Sequence, residues 1–123
     1  MERGHTIADQ LAQAESPYAH YTHSSKLILL KEQLQGMVAA DSDTKLILFS
    51  QWTTFLTMVE KLVNDLGIGY TRIDGSVSAQ DRQIAVHNFQ TEPTIRVILV
   101  SLMAGGEGLN LTRASHVVML DPW

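Results

Sequence analysis

The chain has 123 residues, 45% of them hydrophobic, with 13 acids against 9 lysines and arginines. That is enough apolar content for one ordinary core, while a net charge of -4 excludes a global basic field, so any nucleic-acid contact must be a local patch. The lack of cysteine excludes a disulfide framework and a zinc ribbon or finger. Met1-Glu2-Arg3-Gly4-His5 leads into polar sequence rather than a signal peptide, and no apolar run is long enough to span a membrane. The composition reads as a soluble, intracellular protein.

Residues 1–23 form an N-terminal segment of unassigned role. Ile7, Leu11 and Ala14 suit a short amphipathic helix that Ser16-Pro17 would stop. Tyr18, His20, Tyr21 and His23 follow as a polar-aromatic connector. His20-x-x-His23, with His5 as a third ligand, invites a metal reading, but neither cysteine nor clustered acid supports it, and a solvated linker explains the same residues. From residue 24 to 123 the pattern is that of one lobe. Ser24-Ser25 reads as an N-cap for a helix over Ser25 to Ala39, with Leu27, Leu30, Leu34 and Met37/Val38 on its apolar face. Lys45 to Ser50 is a buried strand. Trp52, Phe55/Leu56, Val59, Leu62/Val63 and Leu66 mark a long helix that Gly67 ends.

Tyr70 to Ile73 is a short strand, followed by the turn Asp74-Gly75-Ser76. Ser78-x-x-Asp81 resembles a capping box and opens a helix through about Phe89, with Ile84, Ala85 and Phe89 inward. Ile95 to Ser101 holds the unbroken run Val97-Ile98-Leu99-Val100, a strand buried on both faces. A loop then gathers Gly105, Gly106 and Gly108 around Glu107, and His116 to Leu120 is a last buried strand that runs into Asp121-Pro122-Trp123. Strands and helices alternate throughout, with connections long enough for parallel pairing. The fold class is α/β: a doubly wound parallel sheet with right-handed crossovers and flanking helices.

Three loops leave the carboxyl ends of strands: Ser50-Gln51, Asp74-Gly75-Ser76, and Ser101 to Gly108. In a parallel sheet all three share one rim, where open α/β sheets hold ligands. Their small hydroxyls, amide and glycines suit phosphate oxygens. Turn formation alone explains any one of them, and three on one rim favour a ligand surface over it. The glycine loop is no P-loop, since no Gly-x-x-x-x-Gly-Lys-Ser/Thr occurs, and Gly106-Glu107-Gly108-Leu109-Asn110-Leu111 has leucine at the third glycine of a dinucleotide fingerprint. Asp74, Glu107 and Asp121 are the acids near the rim, but nothing in the sequence sets a catalytic spacing between any two. Trp52, Phe55 and Met58 read as helix core. The residues alone describe a binding edge without a catalyst.

Taken in order, KLILFSQWTTFL, YTRIDGSVSAQDRQIAVHNF and VILVSLMAGGEGLNLTRASHVVMLDPW resemble the second RecA-like lobe of the Swi/Snf-type superfamily II helicase-like ATPases. The likeness covers about Ser25 to Trp123, nearest the branch that includes helicase-like transcription factor and DNA-repair translocases. It implies a part of a DNA-dependent ATPase motor of chromatin-remodelling or DNA-repair type, acting in the nucleus. Double-stranded DNA backbone, the first RecA-like lobe, ATP and Mg would be its partners and cofactors. Ser50, Gln51, Gly75, Ser76 and Ser101 would lie near DNA phosphates, and Gly106, Glu107 and Gly108 near the nucleotide. In the family, the segment that starts DPW continues into a helix whose arginines reach the transferring phosphate, and the first lobe supplies the P-loop lysine and magnesium-holding acids. Neither occurs in these 123 residues, so the chain alone is expected to hydrolyse no ATP. An open sheet edge or apolar face is also expected to favour self-association, domain swapping or a docked N-terminal segment. Two other readings compete: a non-catalytic α/β domain that binds protein or nucleic acid, and an unrelated nucleotide-binding α/β enzyme, which the missing third glycine disfavours.

Overall fold

The run Leu46-Ile47-Leu48-Phe49-Ser50 is buried along its whole length and forms β1 (Leu46–Ser50). Its surroundings come from a computed structural model that describes residues 22–40, 43–101 and 114–121. β1 lies between β3 (Ile95–Ser101) and β4 (His116–Met119), and β2 (Gly69–Ile73) pairs with the far side of β3. All pairings are parallel and the order is β2-β3-β1-β4.

Side-chain alternation sends each strand's residues to two cores. Leu46, Leu48, Val97, Leu99, Val118 and Leu120 face one layer of helix. Ile47, Phe49, Ile73, Ile98, Val100 and Met119 face the other. A strand covered on both faces has no polar side to show, hence the unbroken apolar runs. The first layer holds α1 (His23–Ala39), through Leu30, Leu34 and Met37, and α2 (Thr53–Asp65), through Phe55, Leu56, Val59 and Val63. The second holds α3 (Ala79–Thr91), whose Phe89 is fully buried. Burying a side chain of that size contributes on the order of 2–3 kcal/mol.

Two cations fix helix ends at the amino rim. The ammonium of buried Lys45, just before β1, donates to the carbonyls of Phe89 (2.6 Å), Glu92 (2.7 Å) and Ile95, and sits 5.0 Å from the Phe89 ring centre. Arg96 donates from Nε to Thr44 O (3.2 Å) and from Nη2 to Met37 O (3.3 Å). Cations suit the last carbonyls of a helix. With the C-terminal ends of α1 and α3 held there, both helices run back against the strands, and their N-termini reach the carboxyl rim.

Several expected details are corrected. α1 starts at His23, capped by Thr22, whose hydroxyl accepts from Ser25 N at 3.2 Å, so the serine pair falls inside the first turn. Trp52 and Met58 are not core: Trp52 is the N-cap of α2 at 52% exposed, and Met58, at 44%, lies off the stripe Phe55-Leu56-Val59-Val63. Ile84 points outward at 49% exposed because the inward stripe of α3 runs through Ala85, Val86 and Phe89. Lys45 lies just outside β1, β2 begins one residue earlier at Gly69, and β4 ends at Met119 with His116 exposed. The expected Ile95–Ser101 strand, the Ser78 cap of α3 (3.1 Å from Asp81 N) and the left-handed Gly67 (φ 74°) are as anticipated. Tyr18, His20 and Tyr21 of the expected connector lie outside the described residues, as does the glycine loop, while His23 opens α1 instead of ending a linker.

Gly69 opens β2 at a shift in register with β3, and a Cβ there would stand 2.2 Å from Thr94 O. The neighbouring atom belongs to backbone, so making room for a Cβ is costly. Gly69→Ala should cost about 1–3 kcal/mol, and a thermal melt that matches the parent chain would contradict this close approach.

Candidate functional site

The parallel register places the carboxyl ends of β1 and β3 side by side, with Ser50 opposite Ser101. β2 ends level with them, Ile73 opposite Val100. The turns Ser50-Gln51 and Asp74-Gly75-Ser76 and the start of the loop after Ser101 therefore share one rim. Gln51, Gly75 and Ser76 are exposed on it. Ser50 and Ser101 are fully buried at the strand ends. Gly106, Glu107 and Gly108 lie outside the described residues.

Asp121 explains the burial of Ser50. Leu120 N–H donates to Phe49 O at 2.9 Å, which seats the next residue against the end of β1. The Asp121 carboxylate is fully buried. Ser50 Oγ donates to it at 2.9 and 3.0 Å, and the Gln51 backbone N–H donates to Oδ2. Ser50 Oγ in turn accepts from Trp52 N at 3.0 Å. A buried carboxylate persists only where donors replace its water, and here they come from a turn 70 residues earlier. The hydroxyl of Ser50 is thus a strut. It sets the backbone of Gln51, whose side chain is left to face outward.

A second network sets the neighbouring turn. Arg72 pairs through Nε with Asp74 (2.8 Å) and through Nη1 with Glu60 (2.8 Å) and Thr57 Oγ1 (3.0 Å). Tyr70 OH donates to the other oxygen of Glu60 at 2.7 Å, which pushes the phenol above its ordinary range. Asp74 accepts from the Ser76 backbone N–H at 2.8 Å and from the Ser76 hydroxyl. These two bonds, the hydroxyl's first, hold its carboxyl below the usual range, with help from Arg72. Asp74 is an organiser of the turn, its charge already matched. Sequence reading named Asp74 and Asp121 only as acids near the rim. The sole hint of their roles was an acid within two residues of the end of each of two strands. Among the described residues no group of three or more His, Cys, Asp or Glu gathers closely enough to hold a metal ion.

An all-parallel sheet between helix layers, with its polar turns on one rim, defines a doubly wound α/β lobe. A family model for the helicase conserved C-terminal domain matches residues 25–123, and the chain belongs to that family. It is 41% identical over 106 residues to DNA repair protein rad8 of Schizosaccharomyces pombe, covering 86% of this chain and 9% of that protein. The C-terminal part of the Fun30 ATPase domain superposes with a TM-score of 0.73 at 28% identity, over 94% of this chain and 36% of that one. The SWI2/SNF2 ATPase core of Sulfolobus solfataricus, solved in complex with dsDNA, does so with a TM-score of 0.69 at 26% identity, over 80% and 20%. The chain spans about a tenth of the length of the curated relatives it matches. It is a helicase C-terminal lobe of the Swi2/Snf2 kind, and its relatives include DNA repair proteins and helicase-like transcription factors.

The lowered pKa of Asp74 has a definite sign. Its stabilisation of the turn is complete above the ordinary carboxylate range and is lost as pH falls through the lowered value. Ser76→Ala removes the largest cause, so the Asp74 midpoint should move up toward the ordinary range. Carboxyl NMR titration measures it, and an unmoved midpoint would count against this geometry.

Proposed function

We propose that the carboxyl rim forms part of a track for the backbone of double-stranded DNA, within the second lobe of a DNA-dependent ATPase motor of repair or remodelling type. The reading rests chiefly on the convergence of Gln51, Gly75 and Ser76, exposed at the ends of parallel strands. Amides, hydroxyls and bare glycine N–H groups bond phosphate oxygens without reading sequence. Helix N-termini reach the same rim, and their dipoles favour anions. Trp52, the N-cap of α2, offers no side-chain oxygen to its first turn. A similar ATPase core was solved in complex with dsDNA, which supports DNA as the ligand.

Ser50 and Ser101 would act from below, as supports of the track. ATP would bind in the complete motor between this lobe and the first, beside Gly106, Glu107 and Gly108. Mg would be held by acids of the first lobe. The motor would work in the nucleus, as a relative devoted to DNA repair suggests.

The test is affinity for a short duplex of mixed sequence as a function of salt. The 123-residue chain should bind weakly, in the nonspecific range of about 10⁻⁴–10⁻⁶ M, and log affinity should fall linearly with log salt. Gln51→Ala should weaken binding about three- to tenfold without lowering the melting temperature, an effect of one neutral hydrogen bond. Binding that ignores salt, or a Gln51→Ala chain that binds as the parent does, would defeat the proposal.

A further inference from the structure

Among the described residues Asp121 is the only fully buried acid. Burying a carboxylate is costly, and a buried ionic group is a weak source of net stability even when its bonds are made. Here it also sets a negative charge beneath the edge assigned to phosphate. Its value lies in what it orients.

β1 stops at Ser50 and α2 starts at Thr53, so Gln51 and Trp52 are the whole connection between them. Both N–H groups of that connection trace back to one anchor. Gln51 N–H donates to Asp121 Oδ2. Trp52 N–H donates at 3.0 Å to Ser50 Oγ, which itself donates to the carboxylate at 2.9 and 3.0 Å. The anchor is fixed in turn, because Leu120 N–H donates to Phe49 O at 2.9 Å and ties the residue before Asp121 to the end of β1. A two-residue connection has only about four soft backbone torsions. With both N–H groups held inward, the Gln51 side chain is left exposed on the rim.

We infer that Asp121 is a positioning residue for duplex binding, holding the Gln51 backbone so that the Gln51 amide already faces a DNA phosphate before DNA arrives. The inference rests on the DNA-track reading and adds to it a residue 70 positions further along the chain, buried and out of reach of DNA. The carboxylate acts through its hydrogen-bond acceptors, since its charge opposes phosphate. Asparagine has the groups to replace it. Its amide oxygen would accept from Gln51 N–H, its NH2 would donate to Ser50 Oγ, and the freed Ser50 proton would turn to Trp52 O, 3.3 Å away. Alanine offers none of these.

Affinity for a mixed-sequence duplex would be measured for the 123-residue chain, Gln51→Ala, Asp121→Ala, Asp121→Asn and the double variant Gln51→Ala/Asp121→Ala, each checked by circular dichroism for the parent fold. A residue that acts only through Gln51 removes no more affinity than Gln51 supplies. Asp121→Ala should therefore weaken binding about three- to tenfold, no more than Gln51→Ala does. Added to Gln51→Ala, it should cost less than about twofold. Losses that multiply would show a separate structural effect and overturn the inference. Asp121→Asn should restore affinity to within about twofold of the parent at the same log–log salt slope, and an Asp121→Asn chain as weak as Asp121→Ala would also overturn it. If Asp121→Ala does not fold, Ser50→Ala carries the same cycle: a loss in the parent and none in the Gln51→Ala background supports the inference, and multiplying losses defeat it. If Gln51→Ala weakens binding while Asp121→Ala matches or exceeds the parent, the inference fails and the DNA-track reading survives. If Gln51→Ala binds as the parent does, that reading fails and takes the inference with it.

Discussion

Everything at the rim depends on the parallel pairing of β1 with β3 on one side and β4 on the other. Parallel strands point all their carboxyl ends one way, so whatever the loops carry is collected at a single edge. Register does the rest. With Ser50 opposite Ser101 and Ile73 opposite Val100, the strands stop at nearly the same height. A slip of one residue in β1 would turn its alternating side chains over, exchanging Leu46 and Leu48 for Ile47 and Phe49 between the two cores. Two differently shaped helix layers thus oppose such a slip and keep the edge level.

The two rims are chemically opposite. At the amino rim, Lys45 and Arg96 spend their charge on carbonyls of the protein itself. That end is closed. At the carboxyl rim two acids turn inward, while Asp81 in the first turn of α3 stays exposed: Asp121 takes the N–H of Gln51 and the hydroxyl of Ser50, and Asp74 takes Ser76 and Arg72. Burying the carboxylates in this way leaves amide, hydroxyl and glycine backbone outward. The Ser50-Gln51 and Asp74-Gly75-Ser76 turns thereby present neutral groups even though the chain as a whole is acidic. Local arrangement overrides the net charge of -4, which describes only the far field.

Sequence patterning carried the fold well where burial dictates residue type. β1 and the Val97–Val100 part of β3 are continuous apolar runs because both faces are covered, whereas the edge strand β2 is mixed, and Gly67 and Ser78 mark helix ends by backbone conformation and by capping. It failed where one residue's role depends on a distant partner. Lys45 looked like a polar strand start, yet it bonds carbonyls up to 50 residues away. Asp121 and Ser50 are 71 residues apart, and no local pattern links them. Trp52 was misread because a large aromatic at helical spacing is ordinarily core, whereas an N-cap position turns it outward. The Swi/Snf-type motifs located the rim because they follow the strand ends. They could not say that Ser50 is a strut and Gln51 the exposed neighbour.

The most direct measurement uses the absence of cysteine. Single cysteines would be placed at Gln51 and Ser76 on the carboxyl rim and at Asp43 and Thr94 toward the amino ends of the strands, all four exposed positions. Each would carry the same short photo-cross-linker and be irradiated with duplex DNA. Cross-links from positions 51 and 76, and few from 43 and 94, are the predicted result. Equal or stronger cross-linking from the amino rim would contradict the account.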